Sequence, residues 1–174
     1  LSDTYAKEGA CKIFHNIRKA YNDAGDMEAK SEMMIGAFYG GVAITGSGTT
    51  AVHALSYPLG GKYHIAHGVS NAILFAHVMA FNKDGCTERL AQLCDAVYPE
   101  LSAHSANEKA DHIIKEIAAI VKETNIPTSL ETFGVKPEDI DFLVEAGSQQ
   151  KRLLVNNCKD ISLEDIREIY KKLF

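Results

Sequence analysis

The chain has 174 residues, 46% hydrophobic and 24% charged, a composition ordinary for one soluble globular domain with a real core. Its formal net charge is −5 with no basic run, which argues against nucleic acid as a partner, and no apolar segment approaches membrane-spanning length. The cysteines Cys11, Cys86, Cys94 and Cys158 form no C-x-x-C pair, so free thiols in a reducing, cytoplasmic setting fit better than disulfides or a structural zinc cluster. The start, LSDTYAKEG, is neither an initiating methionine nor a signal peptide.

From Ser2 to about Tyr21, Ala10, Ile13, Phe14, Ile17, Ala20 and Tyr21 recur at helical spacing. A second helix is predicted from an Asp26 N-cap through Met33, Met34, Phe38 and Val42. Its far half is crowded with Gly36, Ala37, Gly40, Gly41 and Ala43, which predicts a buried central helix with a tight packing partner. No strand pattern precedes Gly46-Ser47-Gly48, so a phosphate-binding loop is the poorer reading there. A third helix is expected over Thr50 to Tyr57, ending at the break Pro58-Leu59-Gly60-Gly61, and a fourth over His67 to Phe81, apolar on most sides. A fifth runs from Gly85 to about Val97, and Pro99 ends it. Ser105 and Glu108 have capping-box spacing and open a sixth, with Ile113, Ile114, Ile117 and Val121 on its stripe. Thr128 to Glu131 repeats the capping pattern for one short turn closed by Gly134. Pro137 suits the first turn of a seventh helix, and Ser162 caps a last one with Ile166, Ile169, Tyr170 and Leu173 inward. With no alternating strand and no internal repeat, the expected architecture is all-α, a bundle-like single domain over residues 1–174 with about eight helices.

Four of the seven histidines fall between Ala51 and Asn82. His53 and His67 bracket the Pro58–Gly61 break, which places one near a helix end and the other near the next helix start. A chain reversing there brings both rings onto one cavity, and neutral imidazole is a common ligand for zinc, iron and other first-row metals. Two histidines alone are more often unrelated surface and core residues than ligands. His64 could substitute as a ligand but is expected in an exposed loop, and His77 on an apolar helix reads as a hydrogen-bonded core histidine. Glu108 and His112, four apart, read better as a solvated pair than as part of a metal site. His15 and His104 receive no role, and Met33 with Met34 reads as core filler.

The second helix, the VHALSYPLGG break, the HGVSNAILFAHVMAFN run and the late KRLLVNN together resemble the C-terminal helical domain of the iron-containing (group III) alcohol dehydrogenases, over essentially the whole chain. The most specific part is the histidine pair fourteen residues apart within this surrounding text. The resemblance implies two domains: an N-terminal α/β domain that binds NAD or NADP, and a C-terminal helical domain that holds a divalent metal, usually iron and sometimes zinc. It implies that His53 and His67 are two of four protein ligands, the others lying on an Asp-x-x-x-His motif in a preceding helix. That motif does not occur here, because the residues four before each histidine are Cys11, Thr49, Gly60, Tyr63, Ile73, Glu100 and Glu108. No strand-plus-glycine dinucleotide motif occurs either. The chain is therefore expected to be a C-terminal portion of such an enzyme, inactive as a dehydrogenase by itself.

Four departures matter. Where many members have a histidine four residues after the first ligand, implicated in proton transfer near the substrate, this chain has Tyr57. A tyrosine with its ordinary pKa near 10 donates a hydrogen bond but relays protons poorly at neutral pH. Ala66, Ala76 and Cys158 stand where proline is usual. By resemblance, then, the site residues are His53 and His67 for the metal and Tyr57 at the substrate, in hydride transfer between an alcohol or aldehyde and nicotinamide, with the metal as Lewis acid. The implied partners are the small alcohol or aldehyde and the N-terminal nucleotide-binding domain, with neither nucleic acid nor membrane, and the resemblance leaves room for a homo-oligomer. The rival reading is a free-standing helical binding module with structural histidines.

Overall fold

A computed structural model describes residues 1–174, and every regular element in it is helical. The helices are α1 (Ser2–Asn22), α2 (Met27–Ser47), α3 (Ala51–Tyr63), α4 (His67–Val97), α5 (Ala106–Glu123), α6 (Ile140–Ser148), α7 (Lys151–Leu154) and α8 (Leu163–Lys171), with short 3-10 turns at Pro99–Leu101, Leu130–Phe133 and Pro137–Asp139. The residues group into two compact units, Leu1–Gly48 with Cys86–Glu116, and Thr49–Gly85 with Ile117–Phe174.

In the first unit, α1 and α2 cross closely. A Cβ added to Gly36 would sit 2.9 Å from Ile13 Cγ1 and 3.0 Å from the Gly9 carbonyl oxygen, so the crossing needs a residue without a side chain. The tight partner expected from the glycine-rich text is α1. The expected burial of the large residues is overturned: Met34 is 75% and Phe38 67% exposed, while Ala29, Gly36 and Ala43 are the buried positions. Close approach of two backbones selects small side chains for the interface and turns the large ones outward. Met34 is thus not core filler. Asp26 caps α2 as expected, accepting from the Ala29 backbone N–H at 2.8 Å. Behind α1, Tyr98 donates to Glu116 at 3.1 Å, Arg18 pairs with Glu116 at 3.0 Å, and the Phe14 ring meets Tyr98 edge-on.

The second unit has a core of Leu55, Leu59, Leu74, Val78, Leu143, Ile166, Ile169 and Tyr170, among others. Ser162 and Asp165 form the capping box of α8, whose inward stripe is the expected Ile166, Ile169, Tyr170 and Leu173. Several boundaries differ from expectation. The short turn before Gly134 is capped by Ser129, not Thr128, and α7 forms within the KRLLVNN run, where no separate helix was anticipated. The fourth and fifth helices join into α4, with a kink at Cys86 (φ −143°, ψ 23°).

The largest correction concerns α3. It does not stop at Pro58 but carries it inside and continues to Tyr63. Pro58 brings no N–H for the Ala54 carbonyl, which ordinarily breaks a helix. Here two side chains brace neighbouring carbonyls: Ser56 Oγ donates to His53 O at 2.9 Å, and the buried Tyr170 hydroxyl donates to Leu55 O at 2.6 Å. The chain instead reverses at His64, in the left-handed region at φ 55°, with His64 N–H bonded to Gly60 O at 3.1 Å and Ile65 N–H to Leu59 O at 3.3 Å.

Candidate metal centre

The correction to α3 moves His53. It sits in the first turn of that helix, not near its end, and His67 is the first residue of α4. The three-residue turn His64–Ile65–Ala66 brings the two helix starts together. Buried Ser70 secures the turn, donating from Oγ to Ile65 O at 3.3 Å and Ala66 O at 3.2 Å.

The rings of His53 and His67 lie 5.3 Å apart between centroids, inclined at 54°. Two imidazoles sharing one ion at roughly 2.1 Å metal–nitrogen distance, with a tetrahedral angle between them, have ring centres roughly 5.2 Å apart. The pair therefore has the spacing that a shared ion requires. Burial, and secondarily the charge a protonated His67 would add, push the His53 pKa below its ordinary value, which favours the neutral ring whose lone pair a Lewis acid can take. Tyr57, one turn beyond His53 and 39% exposed, has its ring centre 6.3 Å from that of His67. The His67 ring thus lies near both of the other residues singled out in the sequence. No third His, Cys, Asp or Glu joins the pair to complete a metal-holding cluster.

The other histidines have separate surroundings. His64 is exposed and serves as the left-handed cap of α3. The pKa of half-buried His77 is lowered by burial and by nearby Lys172. His15 lies 2.8 Å from Val97 O and His104 3.3 Å from Leu101 O. Glu108 accepts from the Ser105 N–H at 2.8 Å as its capping partner, and the His112 ring packs edge-on against Tyr98. Expecting Glu108 and His112 to form a pair was wrong, because the capping box claims the carboxylate.

One residue at the site went unnoticed in the sequence. Asn71 Nδ2 donates to His67 O at 2.8 Å and lies 3.3 Å and 3.1 Å from the two ring nitrogens of His67. Its position four residues after a candidate ligand at a helix start was the available signal.

The family model for the C-terminal part of the Fe-containing alcohol dehydrogenase family matches residues 1–174. The chain belongs to that family. Among curated relatives of this domain, long-chain-alcohol dehydrogenase 1 of Geobacillus thermodenitrificans is 36% identical over 173 residues, covering 99% of this chain and 44% of that protein. Lactaldehyde reductase of Escherichia coli is 33% identical over 147 residues, covering 84% of this chain and 38% of that protein. A crystal structure of 1,3-propanediol oxidoreductase superposes with a TM-score of 0.93 at 25% identity, over 99% of this chain and 45% of the other. The iron-containing alcohol dehydrogenase domain described here thus spans less than half the length of the curated relatives it matches.

Proposed function

We propose that this domain contributes His53 and His67 to a catalytic divalent metal, iron with zinc as the alternative, in an NAD(P)-dependent alcohol dehydrogenase. The observation that carries this reading is the 5.3 Å separation of the two rings. Bound there, the metal supplies Lewis acidity toward the oxygen of an alcohol or aldehyde. His53 and His67 orient that centre through two neutral nitrogens fixed on helix starts. Tyr57 lines the substrate side and donates a hydrogen bond to the substrate oxygen, in place of the histidine usual in the family. The nicotinamide belongs to a nucleotide-binding domain outside these residues, and an NAD-dependent methanol dehydrogenase of Bacillus methanolicus, 29% identical over 171 residues, supports that cofactor class. No helix is long and apolar enough to cross a membrane, and a cytoplasmic setting is part of the proposal.

The test uses the full-length protein that carries this domain. Elemental analysis after gel filtration is expected to find bound metal in the parent and a loss of most of it in His53→Ala and His67→Ala, with reduced-nicotinamide formation from short alcohols falling in parallel. Stoichiometric metal in both variants overturns the ligand assignment.

A further inference from the structure

The surroundings of Asn71 hold an unexplained feature. Its side-chain oxygen is buried and has no hydrogen-bond partner. A buried acceptor left unpaired is unfavourable, because nothing replaces the water it gave up. Exchanging the amide oxygen and nitrogen does not cure it, since the oxygen would then face the His67 carbonyl at 2.8 Å, two acceptors together. Nor does His67 O need the amide, because in a helix that carbonyl already accepts the N–H four residues on.

The amide nitrogen lies almost equally far from both ring nitrogens, 3.3 Å and 3.1 Å. An in-plane approach at equal distance from both would collide with the carbon between them. The carboxamide therefore lies across the face of the imidazole, and the in-plane lone-pair directions of both nitrogens stay clear of it. A ring that gives one nitrogen to a metal carries its proton on the other, and in such sites that N–H almost always finds an acceptor, which fixes tautomer and orientation.

We infer that Asn71 is a positioning residue for His67: its unpaired side-chain oxygen accepts the non-ligating ring N–H of His67 when that ring holds a metal. The inference rests on the metal reading above. Carboxamide oxygen and nitrogen are only roughly 2.2 Å apart, so the oxygen lies beside a nitrogen already at the ring. Torsion of an imidazole about its Cβ–Cγ bond is broad and soft, and a turn of the ring brings its N–H onto the oxygen without moving α4. The anchor from Nδ2 to His67 O holds the amide in place for that contact.

The experiment uses the full-length protein loaded with Co(II), in the parent, Asn71→Leu, Asn71→Asp and His67→Ala. Metal affinity is read by chelator competition, and the exchangeable ring N–H protons of the ligating imidazoles by their paramagnetically shifted resonances in H2O and D2O. Asn71→Leu, which removes the acceptor at similar size, is expected to weaken binding by about 10–100-fold and to shift or abolish one exchangeable resonance. Asn71→Asp, which keeps an acceptor oxygen beside the ring but loses the donor to His67 O, is expected to retain the exchangeable resonance that Asn71→Leu shifts or abolishes. Parent-like affinity and resonances in Asn71→Leu overturn the inference, as does loss of that resonance in an Asn71→Asp protein that still binds the metal. If Asn71→Leu fails to fold, as judged by circular dichroism of the metal-free protein, Asn71→Ser replaces it. Parent-like metal binding in His67→Ala overturns the metal reading itself; loss in His67→Ala with none in Asn71→Leu removes the Asn71 role alone.

Discussion

Replacing Tyr170 by Phe isolates the single contact that braces α3 where Pro58 weakens it. Tyr170 is fully buried, and burial alone drives its hydroxyl pKa far above the ordinary value, as for a phenol sealed in an apolar core. Its hydroxyl hydrogen bond runs 115 residues back along the chain, to Leu55 O at 2.6 Å. The Phe ring fills nearly the same space, so the cavity term is small and the loss is that of the hydrogen bond. A neutral buried hydrogen bond contributes about 0.5–1.5 kcal/mol, and its length here puts the expectation at the upper end, about 1–1.5 kcal/mol. For a protein of this size 1 kcal/mol corresponds to roughly 2–4 °C, so Tm is expected to fall by roughly 2–6 °C. Urea titration of the same variant should move the midpoint down with an unchanged slope. Because Leu55 lies between His53 and Tyr57 on α3, loosening that carbonyl should also weaken metal binding in the full-length protein. A Tm within a degree of the parent would refute the bracing role of Tyr170.

Two further outcomes are expected. The pKa of Tyr98 is pushed up to about 12, first by burial and then by the Glu116 charge, so its neutral form is favoured in the fold; this stabilisation is present below pH 10 and is lost as the pH rises toward 12. After solvent screening of a partly exposed group it is worth about 1 kcal/mol, and the stability difference between the parent and Tyr98→Phe should shrink over that interval; a constant difference refutes it. At the α1–α2 crossing, Gly36→Val should cost about 1–3 kcal/mol by overpacking, whereas Gly41→Ala, which has open space within 4 Å, should stabilise α2 by about 0.5–1 kcal/mol; equal effects in thermal unfolding refute the close-approach account.

The helical class and most boundaries were legible because the signals are local. Asp26, the Ser105/Glu108 box and the Ser162/Asp165 box each act within one turn, and the α8 stripe buries the residues its spacing selects. Pro58 misled for the opposite reason. Its penalty is local, but the compensation comes from Ser56 within the turn and from Tyr170, distant in sequence. Likewise the helix passes Gly60 and Gly61 and ends on His64, because a histidine takes up the left-handed cap that a glycine would normally occupy. On α2, reading large apolar residues as the buried face ignored that the smallest residues mark the tightest contact. The histidine pair stood out as a candidate from its surrounding text, and its rings lie close together although the turn lies at His64–Ala66, six residues beyond Pro58 at its first position. Asn71 escaped notice because a single amide becomes informative only once its unpaired oxygen is seen.

Under the proposed function, the electrostatics of this domain explain why its part is geometric. His53 lies in the first turn of α3 and His67 opens α4, so both rings stand at helix N-termini. Each N-terminus carries the equivalent of roughly half a positive charge, which favours anions and disfavours a dication. Neutral imidazoles offset none of it, and no carboxylate of these residues joins the pair. The negative charge that favours a divalent ion must therefore come from a ligand outside this domain. What these residues supply instead is rigidity: Ser56 and Tyr170 hold the turn bearing His53, and Ser70 holds the turn preceding His67, with Asn71 lying across its ring. Two neutral ligands at a fixed separation beside two positive helix ends select for a partner that brings carboxylate charge. That division ties metal affinity to the joining of the two parts and leaves little for a stray ion to gain on this domain alone.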